Sequence, residues 1–114
     1  SLSKYMTRQL VVAGLCGPGR HEMPVQEYVF PAVVENPMDF EALNRHSINY
    51  IRQVIEQAHG ESVHIMLFVT GLTPVLTSFL SMWVQESNEN AKDRLTLMHY
   101  DRDEGDYVGQ DFCW

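Results

Sequence analysis

Val63-His64-Ile65-Met66-Leu67-Phe68-Val69, followed by Thr70-Gly71-Leu72-Thr73-Pro74, decides how this chain is read. The first seven residues are apolar on both alternating faces except at His64. A strand of that kind is covered on both sides and sits inside a parallel sheet. Thr70-Gly71-Leu72-Thr73 interrupts it. Thr73 has N-cap chemistry and Pro74 suits a first helical position, which predicts a helix from Pro74 to about Ser87. Val75, Leu76, Phe79, Leu80, Met82, Trp83 and Val84 make that helix apolar over most of its circumference, so it is deeply packed or shared with a second subunit. Leu95-Thr96-Leu97-Met98-His99-Tyr100 reads as the next strand. Strand, helix and strand within roughly 38 residues is the size of a right-handed crossover.

Working outward, Leu10-Val11-Val12-Ala13 is a short buried strand closed by Gly14. Glu27 to Val34 has strand composition, and Pro31 within it suits an edge strand. Asn36 is the expected cap of the first helix, with Pro37 at its first position and Asp39 in its first turn. Phe40, Leu43, Ser47, Tyr50, Ile51, Val54 and Ala58 recur at helical spacing, with Glu41, Arg45, Arg52 and Glu56 off the stripe. Gly60 supplies the stop. After Tyr100, the polar turn Asp101-Arg102-Asp103-Glu104-Gly105 leads into Asp106 to Phe112, which returns antiparallel. The expected fold is one α/β domain spanning 1–114: a small Rossmann-like, mainly parallel sheet with two main helices and a C-terminal antiparallel hairpin.

The 114 residues are 45% hydrophobic and 20% charged, a globular composition for a single domain. The net charge of −7 argues against double-stranded nucleic acid and against an anionic membrane, both of which need a basic footprint. The apolar stretch Leu10–Leu15 is too short for a signal segment or a bilayer span. Cys16 and Cys113 form no disulfide framework and no zinc-ligand spacing. They are expected to be reduced thiols in a cytoplasmic protein.

Open α/β sheets bind ligands beyond the carboxyl ends of their strands, which singles out two loops. In the second, Thr70 and Thr73 offer hydroxyls and Gly71 lets backbone approach a ligand. The following helix start favours an anion, although Pro74 removes one N–H and no Walker lysine is present. The plain alternative is a turn that merely starts a helix. In the first loop, Gly14-x-x-Gly17-x-Gly19 reverses the dinucleotide fingerprint and lacks the helix that should follow, so no cofactor is expected. Gly17, Gly19, Arg20 and His21 nevertheless place a phosphate-binding cation and a titratable imidazole in one loop. The alternative there is an exposed polar loop. His99, near the end of its strand and close to Asp101, is the last candidate ligand-binding residue. His64 is expected to be a hydrogen-bonded strand residue, and His46 and His59 to lie on helix surfaces. No metal is expected: the acidic turn Asp101–Asp106 lacks the glycine and glutamate positions of a calcium loop.

Leu67 to Leu80, with Thr70-Gly71-Leu72-Thr73-Pro74, and Leu95 to Arg102 resemble short uncharacterised α/β proteins of bacteria and their phages. The strand–Thr-Gly-x-Thr-Pro–helix unit is also similar to the signature of CRISPR-associated Rossmann-like (CARF) sensor domains, a resemblance that implies binding of cyclic oligoadenylates. The loop departs from that signature in having Leu72, and no nearby base, where those sensors commonly place a Lys.

Three functions follow from these residues. The first is a binding domain for a nucleotide or other small anionic ligand at Thr70, Gly71 and Thr73, with Arg20 and His21 closing over it. The second is a noncatalytic homodimerisation or protein-interaction module using the apolar second helix and the aromatic C-terminus. The third is a small hydrolase or nucleotide-processing enzyme with His21 or His99 as acid–base and Glu22 or Asp101 as its partner.

Overall fold

The structure, a computed structural model, describes residues 8–17, 23–25, 27–31, 33–87 and 92–114. Strand β1 is Arg8–Cys16, β2 Glu27–Phe30, helix α1 Phe40–Gln57, β3 Ser62–Phe68, helix α2 Thr73–Glu86, β4 Arg94–Asp101 and β5 Asp106–Phe112. The five strands form one sheet in the order β2-β1-β3-β4-β5. The first four are mutually parallel, and β5 is antiparallel to β4. The expected α/β class, the central place of the Val63–Val69 segment and the C-terminal hairpin are all present. Among the described residues, no helix is long and apolar enough to cross a membrane.

Both helices lie on one face. They pack against each other and share a single core with Leu15, Val29, Val63, Ile65, Leu67, Leu95 and Leu97. In β1, β3 and β4 those residues are alternate members of each strand, so they point the same way. From α1 the core receives Leu43, Ile51 and Val54, and from α2 Val75, Phe79 and Trp83. Trp83 is fully buried and meets Trp114 edge to face, ring centroids 5.8 Å apart. The apolar circumference of α2 is therefore used mainly inside the domain.

The opposite face departs from the expectation of a strand covered on both sides. Its rows run Leu10, His64, Arg94, then Val12, Met66, Thr96, Asp111, then Gly14, Phe68, Met98, Gly109. Near the carboxyl ends it is sealed: Phe68 is buried and meets Tyr107 edge to face, and Tyr28 and Met23 lie over Gly14. A Cβ at Gly14 would come 2.6 Å from the Tyr28 ring, so only glycine fits there. Toward the amino ends, Leu10 is 60% exposed. That stretch is crossed by a ladder of side chains instead. Arg94 Nη2 donates to Asp111 Oδ2 (3.1 Å) and Thr96 Oγ1 donates to Asp111 Oδ1 (2.9 Å). Since the one hydroxyl proton of Thr96 is used, His64 Nε2–H is the donor of the 2.8 Å bond to Thr96 Oγ1.

The helix starts also differ from the reading of the sequence. Asn36 closes a turn before α1, accepting from Met38 N–H, while Asp39 is the cap, its Oδ1 accepting from Ala42 N–H. Phe40 consequently sits at the first helical position and is exposed. Helix α2 starts at Thr73, so Leu72 holds the cap position. The segment from Glu27 is extended only to Phe30, one residue before Pro31.

Candidate functional site

The sheet order places β1 and β3 side by side, while their outgoing connections diverge. From β1 the chain moves to β2 at one edge; from β3 it moves toward β4. Ligands of open parallel sheets bind at such a switch point, beyond the carboxyl ends of the two strands. Here that point is the contact between Cys16 and the turn Thr70-Gly71-Leu72.

Thr70 Oγ1 donates to the Cys16 carbonyl (2.8 Å). Burial pushes the Cys16 thiol above its ordinary pKa, partly opposed by the Leu72 backbone N–H. Gly71 has φ +86, and a Cβ on it would stand 3.4 Å from Cys16. That left-handed residue turns the chain from β3 into α2, and an L side chain is disfavoured there.

Leu72 has the extended backbone of an N-cap (φ −94, ψ 137), yet no side chain caps α2. Val75 N–H and Leu76 N–H turn back to the Leu72 carbonyl, and Pro74 has no N–H. Among the described residues no acceptor takes the Thr73 N–H, which lies at the positive end of the helix dipole. Thr73 also borders a cleft of about 350 Å³ between the N-terminal parts of the two helices. Thr73, Thr77, Ser78 and Ser81 line it from α2, and Phe40 and Asn44 from α1.

Two other hollows suit an anion less well. One of about 440 Å³, beside Phe30, Val33 and Val34, carries the carboxylates of Glu35 and Asp39. The other, about 310 Å³, lies at the amino end of β4, where Arg94 is already held by Asp111. Among the described residues no group of three or more His, Cys, Asp or Glu side chains is arranged to hold a metal ion.

The candidate residues are thus distributed unequally. Thr70, Gly71 and Thr73 stand together at the switch point and the start of α2. Gly17 is nearby but buried; its N–H donates to the Phe30 carbonyl (3.1 Å), and the Tyr28 ring occupies the place of a side chain. His99 Nε2 is bonded to Gln110 Oε1 on β5 (2.8 Å), whereas the Thr70 hydroxyl reaches the other way, to β1. Gly19, Arg20 and His21, with Glu22, lie outside the described residues. Asp101 organises the hairpin turn, accepting from Gly105 N–H and Asp103 N–H.

Asn44, Thr77, Ser78, Ser81 and Phe40 were not evident as site residues. One signal for them was available: Thr73, Thr77 and Ser81 recur every four residues, a hydroxyl stripe along one face of α2. His46 is a second surprise. It is more than a helix-surface residue, since its ring stacks on Phe30 (centroids 4.4 Å apart) and its Nε2 bonds to the Val29 carbonyl, tying α1 to β2.

Comparison with protein-family models, with curated proteins and with solved structures gives no match.

Proposed function

We propose that this chain is a small Rossmann-like binding domain that takes a nucleotide or another small anionic ligand at the carboxyl edge of its parallel strands. The observation that carries the reading is the start of α2: a helix N-terminus at the topological switch point, without a side-chain cap, opening on a hydroxyl-lined cleft. Thr73 N–H and the cleft hydroxyls would meet the anion, and Gly71 would let the turn approach it. Thermal-shift and calorimetric screening with mononucleotides, dinucleotides and cyclic oligonucleotides tests this. A binder whose affinity falls in a Gly71→Val variant is expected; no binder at millimolar concentration ends the reading.

The half-open sheet face favours a second reading, a noncatalytic module that assembles with a second copy. Leu10 is exposed there, Val12, Met66 and Met98 are half-buried, and the Arg94–Asp111–Thr96–His64 ladder is bonded within itself. Covering that face would therefore leave these polar groups partnered. Light scattering separates the two readings, because a strictly monomeric protein at high concentration removes the second.

A further inference from the structure

We infer that β5 pairs edge to edge with the β5 of a second copy, antiparallel and in register about Gly109, joining the two sheets into one. This contact uses neither the start of α2 nor the open sheet face, and it stands apart from both readings above.

Hydrogen bonding fixes which backbone groups of β5 are left over. Val69 N–H donates to the Met98 carbonyl (2.9 Å), so the N–H and C=O of Met98 face β3. The Met98–Gly109 pair is therefore a non-hydrogen-bonded pair, and the N–H and C=O of Gly109 point away from β4. By alternation, those of Tyr107 and Asp111 point away too. Tyr107 agrees, because its N–H takes the carboxylate of its own neighbour, Asp106 Oδ1, as acceptor (2.7 Å). Strand β5 is the last of the sheet, and Asp106, Val108, Gly109, Gln110 and Asp111 are exposed.

The two sheet edges differ. Strand β2 is four residues long and runs into Pro31, which has no N–H to donate. Strand β5 has seven residues, an unbroken register against β4, and no Pro, Lys or Arg. It lacks the devices that blunt an edge strand. With only one edge open, pairing closes as a twofold dimer and does not grow into a fibre.

The pattern along β5 fits a second copy of itself. Tyr107, Gly109 and Asp111 are symmetric about Gly109. An antiparallel copy sets Gly109 against the partner's Gly109 and Tyr107 against the partner's Asp111, each pair exchanging both N–H···O bonds. Val108, 49% exposed, then lies against the partner's Gln110, and Asp106 against the partner's Phe112. No carboxylate faces another, and the charge of Asp111 is already balanced by Arg94 (3.1 Å). Sliding by two residues, the smallest shift that keeps the faces aligned, leaves only two of the three outward residues paired. A contact of one strand pair is small, so the dimer is expected to be of micromolar affinity or weaker.

The test is sedimentation equilibrium of the intact chain up to about 1 mM, with two variants. Gly109→Pro removes the central N–H. Gly109→Ala keeps it and adds a Cβ that meets Thr96 and Met98 at 3.2 and 3.3 Å. Wild type and Gly109→Ala are expected to dimerise, and Gly109→Pro to associate at least about tenfold more weakly. Register is read separately, with Cys113→Ser in every chain. Val108→Cys mixed with Gln110→Cys is expected to give a disulfide-linked dimer under mild oxidation, and neither alone to do so, because the Cα atoms of a non-hydrogen-bonded pair lie within disulfide reach. The cross-link decides even where Gly109→Pro fails to fold. A monomer at millimolar concentration, a mixture that gives no cross-link, or a folded Gly109→Pro dimer as tight as the wild type overturns the inference.

Discussion

The two helices begin in opposite ways. Helix α1 is closed by Asp39, whose carboxylate accepts from Ala42 N–H and sits against the positive end of the dipole. Helix α2 begins from a cap position with suitable backbone angles, but Leu72 occupies it and contributes no hydrogen bond. A polar cap is worth about 1 kcal/mol. The first helix has that stabilisation and the second does without it, at the one helix start that follows the switch-point turn. Stability left out at one helix start and present at the other is the pattern expected if the open end serves a ligand, as proposed above.

The contrast can be broken or sharpened in several ways. The largest effect falls on what both helices share. Trp83→Ala removes the largest fully buried side chain and the partner of Trp114. It should destabilise the domain by about 3–5 kcal/mol, measured by urea denaturation. A smaller loss would show that the two starts are held independently. Next comes the closed end: Asp39→Ala should cost about 1 kcal/mol in the same measurement and leave ligand affinity unchanged. The smallest effect lies away from both starts, on the open sheet face. The pKa of His64 is lowered, chiefly by burial and then by Arg94 and Arg8, with Asp111 opposing. Between the lowered and the ordinary value the unfolded chain binds more protons, so stability rises with pH there. That stability is present above about pH 6.5 and is lost as the pH falls through the folded-state value. A series of melting temperatures from pH 7.5 to 4.5 should slope less in His64→Gln than in the wild type.

The elements were largely legible in the sequence because they rest on hydrophobic period and on glycine. Val63–Val69 as the central strand, the stripe from Leu43 to Val54, Gly60 as a stop and the hairpin after Asp101 all follow from those signals. What escaped depends on backbone angles and on contacts between distant segments. Thr73 has the better capping side chain, yet Gly71, turned back against Cys16, leaves Leu72 extended and makes Thr73 the first helical residue. Asn36-Pro37 mimics a helix start, but Asp39 three residues on captures Ala42 N–H instead. The uniform apolarity of β3 suggested cover on both faces; both crossovers, β2 to β3 and β3 to β4, move the same way across the sheet, which puts both helices on one side. For the site, Thr70, Gly71 and Thr73 were readable as one loop. Phe40 and Asn44 were not, because only the packing of α1 on α2 brings residues some thirty positions apart to one cleft.

One measurement addresses the open start of α2 most directly: melting temperature and mononucleotide affinity determined together for Leu72→Asp. The new carboxylate would cap α2 and occupy the place of the anion. The account predicts a protein more stable by up to about 1 kcal/mol with its affinity lost. A capped, more stable variant that still binds the mononucleotide as the wild type does would contradict it.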